Sequence, residues 1–143
     1  MPHISNFRSE HITPALNLWR VTEHIGLNSV DDEPARLKLF LQRNEGCSFV
    51  ALADDQVVGA CLCGHDLRRA TIYHLAVSHP FRRGGLGRDL VAASLGALAK
   101  MGITKCHAFV FRDNPYAEHF WVAEGWHLRS ELLMYSQAPD QSA

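Results

Sequence analysis

The chain has 143 residues, a formal net charge of −1 and a pI of about 6.7, and at this length one domain spanning residues 1–143 can bury a real core. The near balance of charge excludes an overall basic field for nucleic acid or for an anionic membrane. No stretch approaches the roughly 18 apolar residues of a membrane span and no N-terminal run resembles a signal peptide, so we expect a soluble, cytoplasmic protein.

The first predicted elements are one strand and two helices. Weak alternation over His3–Arg8 predicts the strand. Helical spacing of the apolar residues predicts a helix over Thr13–Ile25, which a following glycine ends. A second helix is predicted to start at Asp31 or Asp32 and to end before Gly46.

Three apolar strands are predicted next. Ser48–Ala53 and Val57–Cys63 flank a short polar turn, which predicts an antiparallel hairpin, and the strand Ala70–Val77 follows after another turn. Both faces of these strands are apolar, which indicates a central sheet that is covered by helices on each side.

The C-terminal part alternates between helix and strand. Leu86–Met101 is the strongest helical segment, and it is followed by a strand over Lys105–Phe111, a helix over Pro115–Glu124 and a last strand over Trp126–Tyr135. The polar residues 136–143 are expected to form a flexible tail. The order β-α-α-β-β-β-α-β-α-β predicts an α/β fold of the mixed α+β kind, with a central, mostly antiparallel mixed sheet and helices on both faces.

The cysteines lie in apolar, strand-like runs and are interpreted as reduced thiols of the core. They are Cys47, Cys61, Cys63 and Cys106. No second matched pair accompanies Cys61 and Cys63, and the histidines and carboxylates lack ligand spacing, so we expect no metal.

The segment that carries chemistry is His79–Arg88, between a predicted strand and the longest predicted helix. Three glycines within four positions let the backbone approach a ligand closely. They stand where a helix start exposes unpaired N–H groups and the positive end of its dipole, and arginines add cationic donors around them. The segment therefore predicts a phosphate receptor.

Two common phosphate-binding loops do not fit this turn. A dinucleotide loop needs a third glycine where Leu90 stands and an acidic residue at the end of the next strand. A P-loop needs Gly-Lys-Ser/Thr, which does not follow here. A plain connection between a strand and a helix stays the alternative on the glycines alone.

Two motifs resemble those of a known family. Arg82-x-x-Gly85-x-Gly87, preceded by an apolar strand and followed by a helix, resembles the acetyl-coenzyme A signature of the GNAT superfamily of N-acetyltransferases. Asn114-x-x-Ala117-x-x-Phe120-Trp121-x-x-x-Gly125-Trp126 resembles the second block of that family, and the order of elements agrees over nearly the whole chain. The stretch from Gly64 to Pro80 is further similar to a small bacterial subgroup of the YpeA type.

The resemblance implies direct transfer of an acetyl group from acetyl-coenzyme A to a primary amine, with coenzyme A as the product. Backbone amides of Arg83–Arg88 would hold the pyrophosphate, and Leu75–Val77, beside a bulge or splay in the sheet, would pair with the pantetheine arm. The acetyl group would lie near Ala76 and Asn114, with an oxyanion donor close to Val77. The residues expected to contact the cofactor are Leu75, Ala76, Val77, Arg82, Arg83, Gly84, Gly85, Leu86, Gly87, Arg88, Asn114, Ala117 and Phe120.

Trp121 is where the chain departs from the family, because many relatives carry at this position a tyrosine that acts as general acid. An indole N–H donates a hydrogen bond but does not act as an acid near neutral pH. We expect Trp121 either to donate a hydrogen bond to the sulfur, with the proton for the thiolate coming from elsewhere, or to be a core residue beside Ala117 and Phe120.

His74 is the predicted general base. It lies on the strand expected to run beside the cofactor, and histidine is the side chain suited to remove a proton near neutrality. As alternatives, His74 is only hydrogen-bonded within the sheet, or His107 or Tyr135 reaches the site instead. Tyr73 is expected to face the other way on the strand.

The acidic residues Asp31, Asp32 and Glu33 stand at the predicted start of the second helix. They are interpreted chiefly as a helix cap, with attraction of a cationic amine as the alternative. The acceptor stays open among polyamines, amino acids, antibiotics and protein N-termini. A symmetric homodimer is the default assembly. The rival functions are a non-catalytic acyl-coenzyme A-binding sensor and a structural domain without a cofactor.

Overall fold

The computed structural model describes residues 1–140, which form one mixed sheet and four α-helices. The strands are β1 (His3–Asn6), β2 (Phe49–Ala53), β3 (Gln56–His65), β4 (Ala70–Val77) and β5 (Cys106–Ala108). The α-helices are α1 (Ile12–Arg20), α2 (Pro34–Arg43), α3 (Leu86–Lys100) and α4 (Pro115–Ala123), and short 3-10 helices lie at Ser9–His11 and His79–Phe81. The sheet order is β1-β2-β3-β4-β5, antiparallel except for the β4–β5 pair. The predicted fold class is therefore confirmed.

By its internal contacts the chain divides into two compact units, Met1–Phe111 and the part from Arg112 onward. The first unit holds the whole sheet with α1, α2 and α3, and the second holds α4. The number of domains stays a prediction. No helix in the described residues is both long and apolar enough to cross a membrane.

Strand β3 is covered on both faces, as its apolar run predicted. Ala60 and Leu62 belong to a buried cluster that includes Trp19 of α1. The intervening residue points the other way, because successive side chains of a strand alternate between the two faces. The sulfur of Cys61 lies 3.5 Å from the Ser94 hydroxyl oxygen of α3. Helices α1 and α3 therefore pack on opposite faces of the sheet.

The predicted hairpin is confirmed with a two-residue turn. Ala53 pairs with Gln56, and the two residues between them, Asp54 and Asp55, have φ of 49° and 62°. Two successive left-handed residues are what a tight hairpin turn of type I′ requires, and aspartate tolerates them better than most side chains.

The four cysteines are free thiols. Cys47, Cys61 and Cys63 are buried and Cys106 is half-buried, which agrees with their interpretation as core residues. Burial raises the pKa of the Cys61 thiol to about 11, so it stays protonated at neutral pH.

Helix α1 is shorter than predicted, ending at Arg20 rather than near Ile25. The Thr22 hydroxyl donates to the carbonyl oxygen of Leu18 at 2.7 Å, and His24 adopts φ of 62°. A threonine that bonds a carbonyl one turn back competes with the backbone ladder, so the helix stops before the glycine that was expected to end it.

Helix α2 begins later than predicted, at Pro34 rather than at Asp31 or Asp32. The Asn28 side chain accepts the backbone N–H groups of Val30 and Asp31, at 2.8 and 2.9 Å. This closes a polar turn ahead of the helix, and proline at the first helical position then sets the start.

The predicted last strand over Trp126–Tyr135 is wrong, since no residue of 126–140 belongs to a strand. The Leu132 N–H donates to the Arg129 carbonyl at 3.2 Å, and this turn interrupts the extended run. The exposed fractions of Leu128, Leu133 and Tyr135 are 85%, 80% and 88%. The strand predicted to end at Phe111 also stops early, as β5 ends at Ala108. Residues 136–140 of the predicted tail lie outside helices and strands, and residues 141–143 lie outside the described residues.

Candidate functional site

Strand β4 carries a bulge at its centre. The register with β3 shifts between Ala60 and Leu62, so that Cys61 faces both His74 and Leu75 of β4. His74 has φ of 56°, a left-handed conformation that is uncommon outside glycine. A bulge bends its strand and changes the direction of the side chains on it.

Strands β4 and β5 pair only over their first three residues, from Ala70–Cys106 to Ile72–Ala108. Strand β4 continues for five more residues, to Val77, and within the described residues it pairs there with β3 alone. In the described part of the chain its other edge has no strand partner there, and an edge of this kind can hydrogen-bond to an extended ligand as to an added strand. The predicted pantetheine residues Leu75, Ala76 and Val77 lie on this edge, beside the bulge.

The side chain of His74 is held on two sides. Its Nε2 lies 2.9 Å from Oδ1 of Asp32, and its ring packs edge-on against the indole of Trp19, with 5.2 Å between ring centroids. The exposed fractions of the two side chains are 15% for His74 and 10% for Asp32. The predicted base is therefore a largely buried imidazole with a carboxylate partner.

Tyr73 does not face away from His74 as predicted. Its ring contacts Phe40 of α2, whereas His74 contacts Trp19 of α1, and Phe40 and Trp19 belong to the same apolar layer. The side chains of Tyr73 and His74 do not alternate, because the bulge adds one residue to β4 and both side chains then lie on the same face.

The phosphate receptor predicted over His79–Arg88 has the expected backbone. Helix α3 starts at Leu86, with Gly85 as N-cap at φ of 85° and with Arg83 left-handed at φ of 68°. Among the described residues, the backbone N–H groups of Leu86, Gly87 and Arg88 donate no hydrogen bond. Bare N–H groups at a helix start attract phosphate, because they add to the positive end of the helix dipole.

The three arginines of this loop differ in their surroundings. Arg82 Nε donates to the carbonyl oxygen of Val77 at 2.9 Å, so this side chain ties the loop to the end of β4. Arg88 folds back over Gly85, where its terminal nitrogen lies 2.9 Å from the position that a Cβ would take. All three side chains are exposed. The loop is thus braced by Arg82 and keeps the charges of Arg83 and Arg88 near the helix start.

The second motif forms α4 and its two caps. Oδ1 of Asn114 accepts the N–H of Ala117 at 3.2 Å, and Pro115 occupies the first helical position. Gly125 at φ of 86° ends the helix, with a hydrogen bond from the N–H of Trp126 to the carbonyl of Trp121. The caps of α4 therefore explain the spacing of Asn114, Pro115 and Gly125 in this motif. Cofactor contacts by Asn114, Ala117 and Phe120 stay predictions.

Trp121 lies in an aromatic cluster of this second unit. Its ring centroid is 5.1 Å from that of Phe120 and 4.5 Å from that of Trp126. These contacts support the interpretation of Trp121 as a packing residue, and its role toward the sulfur stays a prediction.

Asp32 is the site residue that sequence reasoning placed wrongly. It is not a cap of α2, whose N-cap is Glu33 without a side-chain hydrogen bond. Both carboxylate oxygens of Asp32 are engaged, one by His74 and the other by the N–H of Asn28 at 2.8 Å. The spacing of 42 residues between Asp32 and His74 carries no local signal, so only the fold shows the pair.

Comparison with known proteins gives one family. The family model described as Acetyltransferase (GNAT) family matches residues 14–126. Over 93 residues the chain is 31% identical to N-alpha-acetyltransferase 30 of Schizosaccharomyces pombe, covering 62% of this chain and only 62% of that relative. Over 105 residues it is 26% identical to the ribosomal protein bS18-alanine N-acetyltransferase of Haemophilus ducreyi, covering 71% of this chain and 72% of that protein.

A solved structure shows the same fold. The PaiA N-acetyltransferase of Thermoplasma acidophilum, in complex with coenzyme A, superposes with a TM-score of 0.75. The match covers 86% of this chain and 87% of that chain at 16% identity, so the likeness is one of fold alone.

Proposed function

The chain belongs to the acetyltransferase (GNAT) family, and we propose that it is an N-acetyltransferase that moves the acetyl group of acetyl-coenzyme A to a primary amine. The observation that carries the proposal is the start of α3, where the backbone N–H groups of Leu86, Gly87 and Arg88 are bare beside two exposed arginines. This is the place that a pyrophosphate needs, and it lies within the residues that the family model matches.

The two ends of acetyl-coenzyme A would be held by different backbone features. The pyrophosphate would sit on the start of α3, with Arg83 and Arg88 adding charge. The pantetheine arm would run along the free edge of β4 at Leu75–Val77, where strand-like hydrogen bonds are available. The hydrogen bond from Arg82 to the carbonyl oxygen of Val77 connects the loop to the end of β4, so the sites for the two ends of the substrate are tied to each other.

The reaction is a direct displacement. The neutral amine attacks the acetyl carbonyl carbon, the carbon–sulfur bond breaks, and the thiolate of coenzyme A leaves. The attacking nitrogen gives up its proton to the imidazole of His74, and the thiolate is protonated from another donor or from solvent. A covalent cysteine intermediate does not fit Cys61, because the thiol is buried with a pKa raised to about 11.

We propose that the acceptor is the α-amino group at a polypeptide N-terminus. The names of both sequence relatives describe N-terminal or protein-alanine acetylation. An α-amino group has a pKa of about 7.7–8.0, against about 10.4 for a lysine side chain, so a far larger fraction of it than of lysine is neutral at physiological pH. An imidazole is a sufficient base for such an amine.

We propose a cytoplasmic protein and, as the default symmetry, a homodimer. Nucleic acid is not a proposed partner, because the net charge of −1 provides no overall basic field.

Thiol release from acetyl-coenzyme A tests the function. The acceptors are a short peptide with a free N-terminus and no lysine, the same peptide with its N-terminus blocked, and a blocked peptide that contains one lysine. We expect release with the first peptide only. Equal release with the lysine peptide would reject the acceptor class. Calorimetric binding of acetyl-coenzyme A without turnover on any amine would instead favour the sensor function.

A further inference from the structure

We propose that Asp32 is a positioning residue for His74, which it holds with the ring proton on Nε2 and the lone pair on Nδ1. The inference rests on the proposed function, in which His74 removes the proton of the amine. It assigns to Nδ1 the role of the basic atom and to Asp32 the role of fixing that tautomer. Asp32 itself would touch neither the acceptor nor acetyl-coenzyme A.

The contact between the two side chains fixes the tautomer. An ionised carboxylate can only accept hydrogen bonds, so the 2.9 Å contact from Oδ1 of Asp32 requires a proton on Nε2 of His74. In a neutral imidazole the other ring nitrogen then carries the lone pair. The edge-on indole of Trp19 packs against the ring and opposes its rotation.

Asp32 is itself held in place. Its second oxygen accepts the N–H of Asn28 at 2.8 Å, and its own N–H donates to the Asn28 carbonyl at 2.9 Å. The Asn28 side chain closes the same turn by accepting the N–H groups of Val30 and Asp31. The carboxylate therefore meets His74 in one fixed orientation, with a hydrogen bond on each of its oxygens.

The backbone of β4 is shaped around this contact. His74 occupies the left-handed position of the bulge at φ of 56°, where a residue other than glycine is strained. Such strain persists where surrounding contacts hold the residue, and it clusters at functional sites. The bulge turns the ring toward the side of the sheet covered by α1 and α2, where it packs against Trp19 and forms a hydrogen bond with Asp32.

The pair also suits the charge that the reaction creates. When Nδ1 takes the proton of the attacking amine, the imidazole becomes a cation. The Asp32 carboxylate then opposes that charge from 2.9 Å, in surroundings where both side chains are largely buried and water screens little. After coenzyme A has left, Nδ1 returns the proton to solvent and the neutral tautomer is restored.

The first test needs no substitution. In the ¹⁵N NMR spectrum of histidine-labelled protein, we expect His74 to show the protonated Nε2 and unprotonated Nδ1 of one tautomer, assigned by its loss in His74→Gln. A ring with the proton on Nδ1, or an average of both tautomers, would overturn the inference whether or not the protein is an enzyme.

The second test uses Asp32→Asn with Asp31→Asn as the matched control, since Asp31 is the neighbouring acid and is exposed. We expect Asp32→Asn to lower kcat by about tenfold or more with an unchanged KM for acetyl-coenzyme A, and Asp31→Asn to leave both unchanged. In a His74→Gln background, Asp32→Asn should lower kcat no further, because Asp32 acts through His74. A general structural role would lower kcat in both backgrounds and would overturn the inference.

The two proposals fail in distinguishable ways. If no amine is acetylated although His74 shows the fixed tautomer, the proposed function is rejected, while the arrangement that Asp32 imposes on His74 stands. If peptides are acetylated and Asp32→Asn has the kcat of the unmodified protein, the positioning role is rejected while the function stands.

Discussion

His74 is the residue at which strain, burial and hydrogen bonding coincide. Its left-handed backbone carries a side chain that contacts a carboxylate and an indole, and the residues that follow it form the free edge of β4. On a regular strand, the side chain of His74 would point to the face opposite that of Tyr73. The bulge would therefore let β4 serve both as the proposed ligand edge and as the carrier of the proposed base.

His74→Gln should lower kcat by about 100-fold, because glutamine can still donate to Asp32 but cannot take up a proton near neutral pH. The KM for acetyl-coenzyme A should stay unchanged. Steady-state kinetics with the peptide acceptor measure both values. His3→Gln, an exposed histidine of β1, is the control and should match the unmodified protein. Retention of kcat/KM in His74→Gln would remove His74 from the mechanism.

Gly85→Ala should weaken the binding of acetyl-coenzyme A by about tenfold. A Cβ at φ of 85° is strained by roughly 1–2 kcal/mol, and it would displace the flexible Arg88 side chain, whose terminal nitrogen lies 2.9 Å from the Cβ position, so both the backbone and the charge at the start of α3 are disturbed. Isothermal titration measures the affinity.

Gly96→Ala is the matched control for that loop, because it lies within the same helix and its Cβ would have open space. This substitution should leave the affinity unchanged and raise the free energy of unfolding by about 0.5–1 kcal/mol. Equal affinities in the two variants would contradict the assignment of the pyrophosphate to the helix start.

Trp121→Tyr should keep or raise turnover. The indole packs against Phe120 and Trp126, a role that another aromatic ring can fill, and tyrosine adds a group able to give a proton to the thiolate. The measurement is kcat, together with the melting temperature as a control for packing. A loss of kcat above tenfold at an unchanged melting temperature would show that the indole N–H is needed.

At the scale of elements, the turn between β3 and β4 is closed by the side chain of Asp66. Oδ1 of Asp66 accepts the N–H groups of Arg69 and Arg68, at 2.8 and 2.9 Å. The pKa of Asp66 is lowered from 3.8 to about 2, chiefly by the N–H of Arg69 and then by that of Arg68. Both bonds favour the charged form of the carboxyl group.

The stability that Asp66 contributes should be present above about pH 4 and be lost as the pH falls toward about 2. The sign follows from a folded pKa that lies below the ordinary value. In the unmodified protein, part of the fall in melting temperature between about pH 4 and about pH 2 should come from protonation of Asp66. Asp66→Asn should lack that part of the fall. Asp55→Asn, in the β2–β3 turn, is the control and should keep it. Identical pH profiles for Asp66→Asn and the unmodified protein would contradict the role of the turn.

The elements that could be predicted from the sequence are those with local signals. Strand β4 has the predicted bounds, and α3 starts at the predicted residue, because an apolar run and a glycine turn mark them directly. The turn before α3 is likewise marked by neighbouring glycines, and its binding of phosphate stays a prediction.

Features that depend on distant partners could not be predicted. The bulge is invisible to alternation, and the contact between Asp32 and His74 depends on how a loop folds onto a strand 42 residues later. The last strand failed for a related reason, since apolar alternation near Trp126 predicts a strand but does not supply the neighbouring edge that it needs.

At the scale of the whole molecule, the net charge is near zero, but positive charge is concentrated at the start of α3. A net charge of −1 coexists with the run Arg82–Arg83 and with Arg88 at the start of α3. A ligand with several phosphates is thus attracted to one place on the protein, and a polyanion that covers a large surface is not.

Binding of coenzyme A should therefore stabilise the whole protein, by linkage. At a concentration of 100 times Kd, a ligand that binds only the folded state adds about 2.7 kcal/mol to the free energy of unfolding. For a chain of this size that is a rise of about 10 °C in melting temperature.

Pantetheine, which lacks the pyrophosphate, is the control at the same concentration. It should raise the melting temperature far less, because the α3 start and its arginines would have no anion to hold. Raising the salt concentration should then reduce the effect of coenzyme A more than that of pantetheine, since exposed charges such as those of Arg83 and Arg88 are screened. Equal stabilisation by the two ligands would mean that the thiol arm alone provides the binding and that the charged loop has another purpose.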